Sequence, residues 1–131
     1  KARVERVRTI PGLGDVGSVT VAQALSHLPF TSADAFIAYT GLDPRPQDSG
    51  SHRGRRRLSK RGPAEMRRVL HICAMSAAGT KAWRPYYLAQ RAKGLSGTAA
   101  LVVLSRKLAR TAFGICKLEV DFDPGRANST A

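Results

Sequence analysis

The chain is short of acids, of cysteine and of long apolar runs, and each shortage closes off a class of function. Asp and Glu number 9 against 22 Lys and Arg in 131 residues, a formal charge of +13. Carboxylates this sparse and dispersed offer no pair for acid–base work. Cys73 and Cys116 lack a partner at zinc-site spacing, and His27, His52 and His71 are scattered, so no metal site is read here. Both cysteines fall on apolar stripes of predicted helices, where a free thiol behaves as a small hydrophobe; no disulfide is expected, in keeping with a reduced compartment. No apolar run reaches the length of a membrane span, and no secretory signal pattern is present. Nor are the cations confined to the polar face of one amphipathic helix, which argues against a membrane surface as partner. The totals describe one soluble, intracellular domain large enough to bury its own core.

What the chain has is positive charge, and most of it lies in one stretch. Between Arg45 and Arg68 stand Arg45, Arg53, Arg55, Arg56, Arg57, Lys60, Arg61, Arg67 and Arg68 against only Asp48 and Glu65, a local net of +7. Pro44, Pro46, Gly50 and Gly54 exclude a helix interior or a buried strand there, so residues 41–60 read as a long surface loop, with a short hairpin within 45–58 as one form it could take. Nucleic acid is the partner such a loop fits, because Lys and Arg that neutralise phosphates release counterions and gain affinity whatever the base sequence. A pI near 11.1 agrees.

The remainder reads as mainly α, a compact helical domain. Lys1 to Arg8 has the look of a helix end whose beginning lies outside the chain. Ile10-Pro11-Gly12-Leu13-Gly14, followed by Val16, Val19, Val21, Ala22, Leu25 and Leu28, reads as a tight turn opening an amphipathic helix, a helix-hairpin-helix element near residues 10–28. Gly12 and Gly14 there either present backbone N–H groups to a phosphate or merely let Ile10 and Leu13 reach the core. Ser32 caps a short helix that Gly41 ends. Lys60 to Pro63 introduce a helix with Met66, Val69, Leu70, Cys73, Ala74 and Ala77 on one stripe and Arg67, Arg68 and His71 off it. Trp83, Tyr86 and Tyr87 open another helix, to about Lys93, and read as core rather than as base-stacking groups. Gly97 to Leu118 is the central helix, with Arg106, Lys107, Arg110 and Lys117 assigned to its solvated side. Polar residues from Asp121 onward suggest a disordered tail, taken as 125–131 and leaving 1–124 as the domain.

For chemistry, only hydroxyls are left. Ser49, between Asp48 and Gly50, would be an ordinary turn residue on spacing alone. In that cationic loop it could also approach a phosphodiester whose developing charge arginines would offset.

The order of motifs adds more. Ile10-Pro11-Gly12-Leu13-Gly14, Ala38 to Arg45, Asp48-Ser49-Gly50, Ser59-Lys60-Arg61-Gly62, Arg67-Arg68-Val69-Leu70 and Ser105 to Ala109 follow one another as they do in a known family. The chain resembles the carboxy-terminal transposase domain of the Piv/MooV (DEDD-type) transposases, insertion-sequence family one-ten, from about Ile10 to Pro124. The resemblance implies an RNA-guided DNA recombinase in which this domain carries a nucleophilic serine, falling on Ser49, with Ser51 and Ser59 as competitors. It implies an amino-terminal RuvC-like domain, absent from this chain, whose acidic tetrad holds magnesium; no cofactor is expected in this fragment, which by itself should be inactive. It further implies DNA and a guide (bridge) RNA as partners, a homo-oligomer, and a bacterial cytoplasmic location. Gly12, Gly14 and the nine cations from Arg45 to Arg68 would contact nucleic acid, and His52 would be a candidate proton acceptor. The alternative is a non-catalytic helix-hairpin-helix nucleic-acid-binding module; a basic RNA-associated structural protein is a third reading.

Overall fold

The computed structural model describes residues 2–42 and 61–125, with the backbone alone at Arg61 and Gly62. These residues form six helices: α1 (Arg3–Arg8), α2 (Asp15–His27), α3 (Ala33–Thr40), α4 (Arg61–Ala77), α5 (Arg84–Ala92) and α6 (Gly97–Leu118). The mainly α class and the element order follow the sequence reading. Local chemistry sets several of the ends. Ser32 Oγ accepts from the Ala35 N–H at 3.1 Å and Ser96 Oγ from the Ala99 N–H at 3.1 Å, each satisfying one donor that a helix start leaves free. Gly41 ends α3 in the left-handed region, φ 79°, where a side chain would be strained. Glu119 does the same for α6 without being glycine, at φ 57°.

The longest helix is the centre of the packing. α6 contacts α1, α2, α3, α4 and α5, and its stripe of Ala100, Leu104, Leu108, Ala109 and Ala112 is fully buried. Opposite it lie Leu70 of α4, Phe36 of α3 and Trp83 at the cap of α5, all fully buried. Burying a large apolar side chain contributes about 1.5–3 kcal/mol, so these positions carry the fold. Phe30 packs edge-on against Phe36 at 5.1 Å between centroids, closing the connection between α2 and α3.

Two local expectations are corrected. Lys107, assigned to the solvated side of α6, is only 4% exposed. It lies three residues after Leu104 and one before Leu108, on the buried stripe, with Nζ 5.6 Å from the centroid of the Tyr86 ring. Arg106 is half-buried and hydrogen-bonded to the body of the domain. The chain also stays packed past Asp121: Phe122 stacks against Trp83 at 5.5 Å, its N–H donates to Thr9 Oγ1 at 2.8 Å, and Asp121 meets Arg6 at 3.5 Å. A single aromatic in a polar stretch is enough to dock it when the core leaves an exposed ring edge to cover.

Candidate nucleic-acid interface

The turn from Thr9 to Gly14 joins α1 to α2, and its glycines have unequal reasons to be there. Gly12 sits at φ 101°, and a Cβ on it would lie 2.5 Å from Ala77 Cβ and 2.7 Å from Ala77 Cα, so neither conformation nor space admits a side chain. Gly14, the N-cap of α2, has φ −79° and nothing within 4 Å of where a Cβ would stand. Leu13 and Ile10 are both buried, and Ser18 Oγ donates to the Leu13 carbonyl at 3.2 Å, tying the turn to α2. The structure therefore gives Gly12 a packing role against α4. Gly14 remains open to solvent at a helix start, the position whose N–H groups and partial positive charge suit an anion.

Alongside the turn, α2 and α4 leave a groove of about 380 Å³ lined by Gly12, Gly14, Val16, Arg68, Ile72 and Ser76. Deeper in it, Gly17 faces Cys73 closely enough that a Cβ would come within 2.5 Å of Sγ. Burial raises the Cys73 thiol above its ordinary pKa, so it stays protonated and unreactive at neutral pH; Cys116 behaves alike. Both cysteines are free and buried.

Of the sequence-predicted cations, Arg67 and Arg68 stand on exposed positions of α4 but already have partners. Arg67 Nη1 donates to the Thr40 carbonyl at 3.0 Å, and Arg68 makes a two-pronged contact with Glu65, Nε to Oε1 at 3.2 Å and Nη2 to Oε2 at 2.7 Å. The Glu65 hydrogen bond, with its charge second, raises the Arg68 pKa further, so the guanidinium is always charged. Arg61 opens α4. Arg45, Ser49, Ser51, His52, Arg53, Arg55, Arg56, Arg57, Ser59 and Lys60 lie outside the described residues. The structure does bring together the two ends of that segment's frame: Arg67 of α4 binds Thr40, and Arg106 Nη1 of α6 donates to the Leu42 carbonyl at 3.1 Å. Arg106 escaped the sequence reading, which placed it in solvent; position alone could not show that α6 crosses the end of α3.

Among the described residues no group of three or more His, Cys, Asp or Glu is placed to hold a metal ion, and no helix is long and apolar enough to cross a membrane.

The chain belongs to the transposase IS116/IS110/IS902 family, whose model matches residues 4–88. It is 32% identical over 107 residues to the insertion element IS116 uncharacterized 44.8 kDa protein of Streptomyces clavuligerus, covering 80% of this chain and 27% of that one. A probable family 20 transposase of Pseudomonas aeruginosa is 26% identical over 95% of this chain and 38% of its own length. The insertion element IS900 uncharacterized 42 kDa protein of Mycobacterium paratuberculosis is 25% identical over 97% of this chain and 33% of its own. The chain thus spans well under half the length of each of these relatives.

Proposed function

We propose that this chain is the DNA-binding, serine-nucleophile domain of an insertion-sequence transposase that cuts and rejoins DNA strands. The observation that carries the reading is the family match over residues 4–88, which takes in the glycine turn, the Asp48-Ser49-Gly50 tripeptide and the cations from Arg45 to Arg68. In this scheme Ser49 Oγ attacks the phosphorus of a DNA phosphodiester. An Oγ–P bond forms, one P–O bond to a neighbouring sugar breaks, the serine proton passes to a base, with His52 a candidate, and the departing sugar oxygen takes up a proton. A hydroxyl on another strand end then displaces Ser49, so the bond energy is kept for joining. Arg45 and Arg53 to Arg57 offset the charge that builds on the phosphoryl oxygens. Lys60, Arg61, Arg67, Arg68 and the Gly12–Gly14 turn, as a helix-hairpin-helix element, hold the strands by their phosphates.

Magnesium on an acidic RuvC-like domain, a guide RNA and a homo-oligomer belong to the same proposal for the complete protein, acting in the bacterial cytoplasm. Among the described residues no cluster of His, Cys, Asp or Glu fits a magnesium site. The isolated domain accordingly binds nucleic acid and performs no strand exchange.

The test is Ser49→Ala in the complete transposase, supplied with metal, DNA and its RNA. The expected result is loss of strand exchange and of a covalent protein–DNA adduct that mass mapping places on Ser49, with DNA binding retained. Unchanged exchange removes Ser49 from the mechanism and leaves the non-catalytic binding module.

A further inference from the structure

From Met66 to Leu118 the chain contains no acid, yet it carries ten Lys and Arg residues. The structure divides those cations by what they touch. Arg68 and Arg110 are paired with Glu65 and Asp34, at 2.7 and 3.0 Å, while Arg67 and Arg106 are bound to backbone carbonyls. Lys107 is buried. Lys81, Arg84, Arg91, Lys93 and Lys117 differ: all five are exposed and none makes an ion pair among the described residues, where Arg91 Nη1 to Tyr87 Oη at 3.5 Å is their one polar contact. Lys117 stands apart on α6, its Nζ 6.0 Å from the centroid of the Phe113 ring, and the other four lie close together in the sequence. They belong to one short element, α5 and its flanks. Arg84 and Arg91, with exposed Leu88 between them, follow the helical repeat along one side of α5, about a quarter turn round from buried Trp83 and Gln90; Lys81 precedes the helix and Lys93 follows it. Like charges concentrated on one short element without acids repel one another, an arrangement that an external polyanion relieves.

We propose that the outer face of α5, through Lys81, Arg84, Arg91 and Lys93, docks the sugar-phosphate backbone of duplex DNA. The residues are distinct from the Arg45–Arg68 cations, and the inference rests on the reading of the protein as one that acts on DNA. Shape selects the duplex over unstacked single strands. Trp83 is fully buried and Tyr86 and Tyr87 are half-buried, so the face has no exposed ring on which a free base would stack. Between the cations stand exposed Leu88, Ala89 and Ala92, none of them charged or aromatic. Arg84 and Arg91 are about 10 Å apart along the axis at ~1.5 Å per residue, a span of about three phosphates of one strand at ~3.4 Å each.

The experiment measures binding of a short duplex of arbitrary sequence as a function of salt. Changing Lys81, Arg84, Arg91 and Lys93 together to Gln is expected to weaken binding about tenfold or more and to flatten the slope of log affinity against log salt by about 3 to 4, since each neutralised phosphate contributes ~0.9. Arg84→Gln and Arg91→Gln singly are each expected to flatten it by about 1, and Arg84→Lys with Arg91→Lys is expected to keep it. An unchanged slope in a protein that binds the duplex overturns the proposal. So does a slope that falls with structured RNA but not with DNA. Failure of the parent protein to bind any duplex is a different result, which overturns the reading of DNA as substrate itself.

Discussion

Arg106 Nη1 donates to the carbonyl oxygen of Leu42 at 3.1 Å, across 64 residues of sequence. With Arg67 on the Thr40 carbonyl at 3.0 Å, it places two guanidinium groups from different helices on the carboxyl end of α3, where carbonyls lack helical partners and carry partial negative charge. The end of α3 is therefore held from α4 at Thr40 and from α6 at Leu42, the last described residue before the basic segment. Arg106→Met is expected to lower stability by about 1–2 kcal/mol, the worth of a charge-assisted hydrogen bond to a half-buried acceptor. Urea denaturation measures it. A loss no larger than that of an exposed Arg such as Arg84 would show the contact to be dispensable.

The approach of α2 to α4 makes a prediction of sign. Gly17→Ala places a Cβ 2.5 Å from Cys73 Sγ. Overpacking costs about 1–3 kcal/mol against a helix-propensity gain of about 1, so the single variant is expected to be less stable. In a Cys73→Ala background the obstructing sulfur is gone, and the same change at Gly17 is expected to become stabilising. A double-mutant cycle by thermal melting reads the reversal.

The two turn glycines separate on similar grounds. Gly12→Ala combines a strained φ of 101° with a clash on the backbone of Ala77, which cannot rotate away, and is expected to cost about 2–4 kcal/mol. Gly14→Ser meets open space and supplies a side-chain cap to α2, so its stability is expected to hold or to rise by a few tenths of a kcal/mol. Equal losses at both positions would contradict the assignment of packing to the first alone.

Alkali provides a further test. Burial raises the pKa of Cys73, and of Cys116 despite a smaller opposing effect from Arg3 and then Arg6. A raised folded pKa means that the unfolded chain releases these protons first, near the ordinary thiol value of 9.0, so their contribution is intact below that pH and is lost as pH climbs from there through the folded pKa. Tyr86, raised chiefly by burial, acts in the same sense above 10.0. Between those two values the urea midpoint is expected to fall in the parent and to fall less in a Cys73→Ala, Cys116→Ala variant. A thiol reagent at neutral pH is expected to label either cysteine only after unfolding.

Much of the helical frame was readable because its signals are local. The span of α6 follows from a capping Ser96 and an unbroken stripe from Ala100 to Ile115, and α3 from Ser32 and Gly41, each within a few residues of what it caps. Lys107 was misread by residue type, although its spacing from Leu104 and Leu108 already put it on the buried stripe. Phe122 docks against Trp83 although its neighbours are polar, because a ring packs according to the surface it meets.

The order of motifs, the charge and the helical periodicities are properties of the chain itself, and they were sufficient for the family and the mainly α class. How the cations are employed was decided only in three dimensions. Arg106 and Arg110 have no acid near them in sequence and Arg67 stands two residues from Glu65, yet the three end on Leu42, Asp34 and Thr40, while Lys81, Arg84 and Lys93 end on nothing among the described residues. The reason is physical: a helix repeat tells which side of its own axis a side chain leaves from, but a charge is neutralised by whatever the packing of other helices carries to within a few ångströms of it.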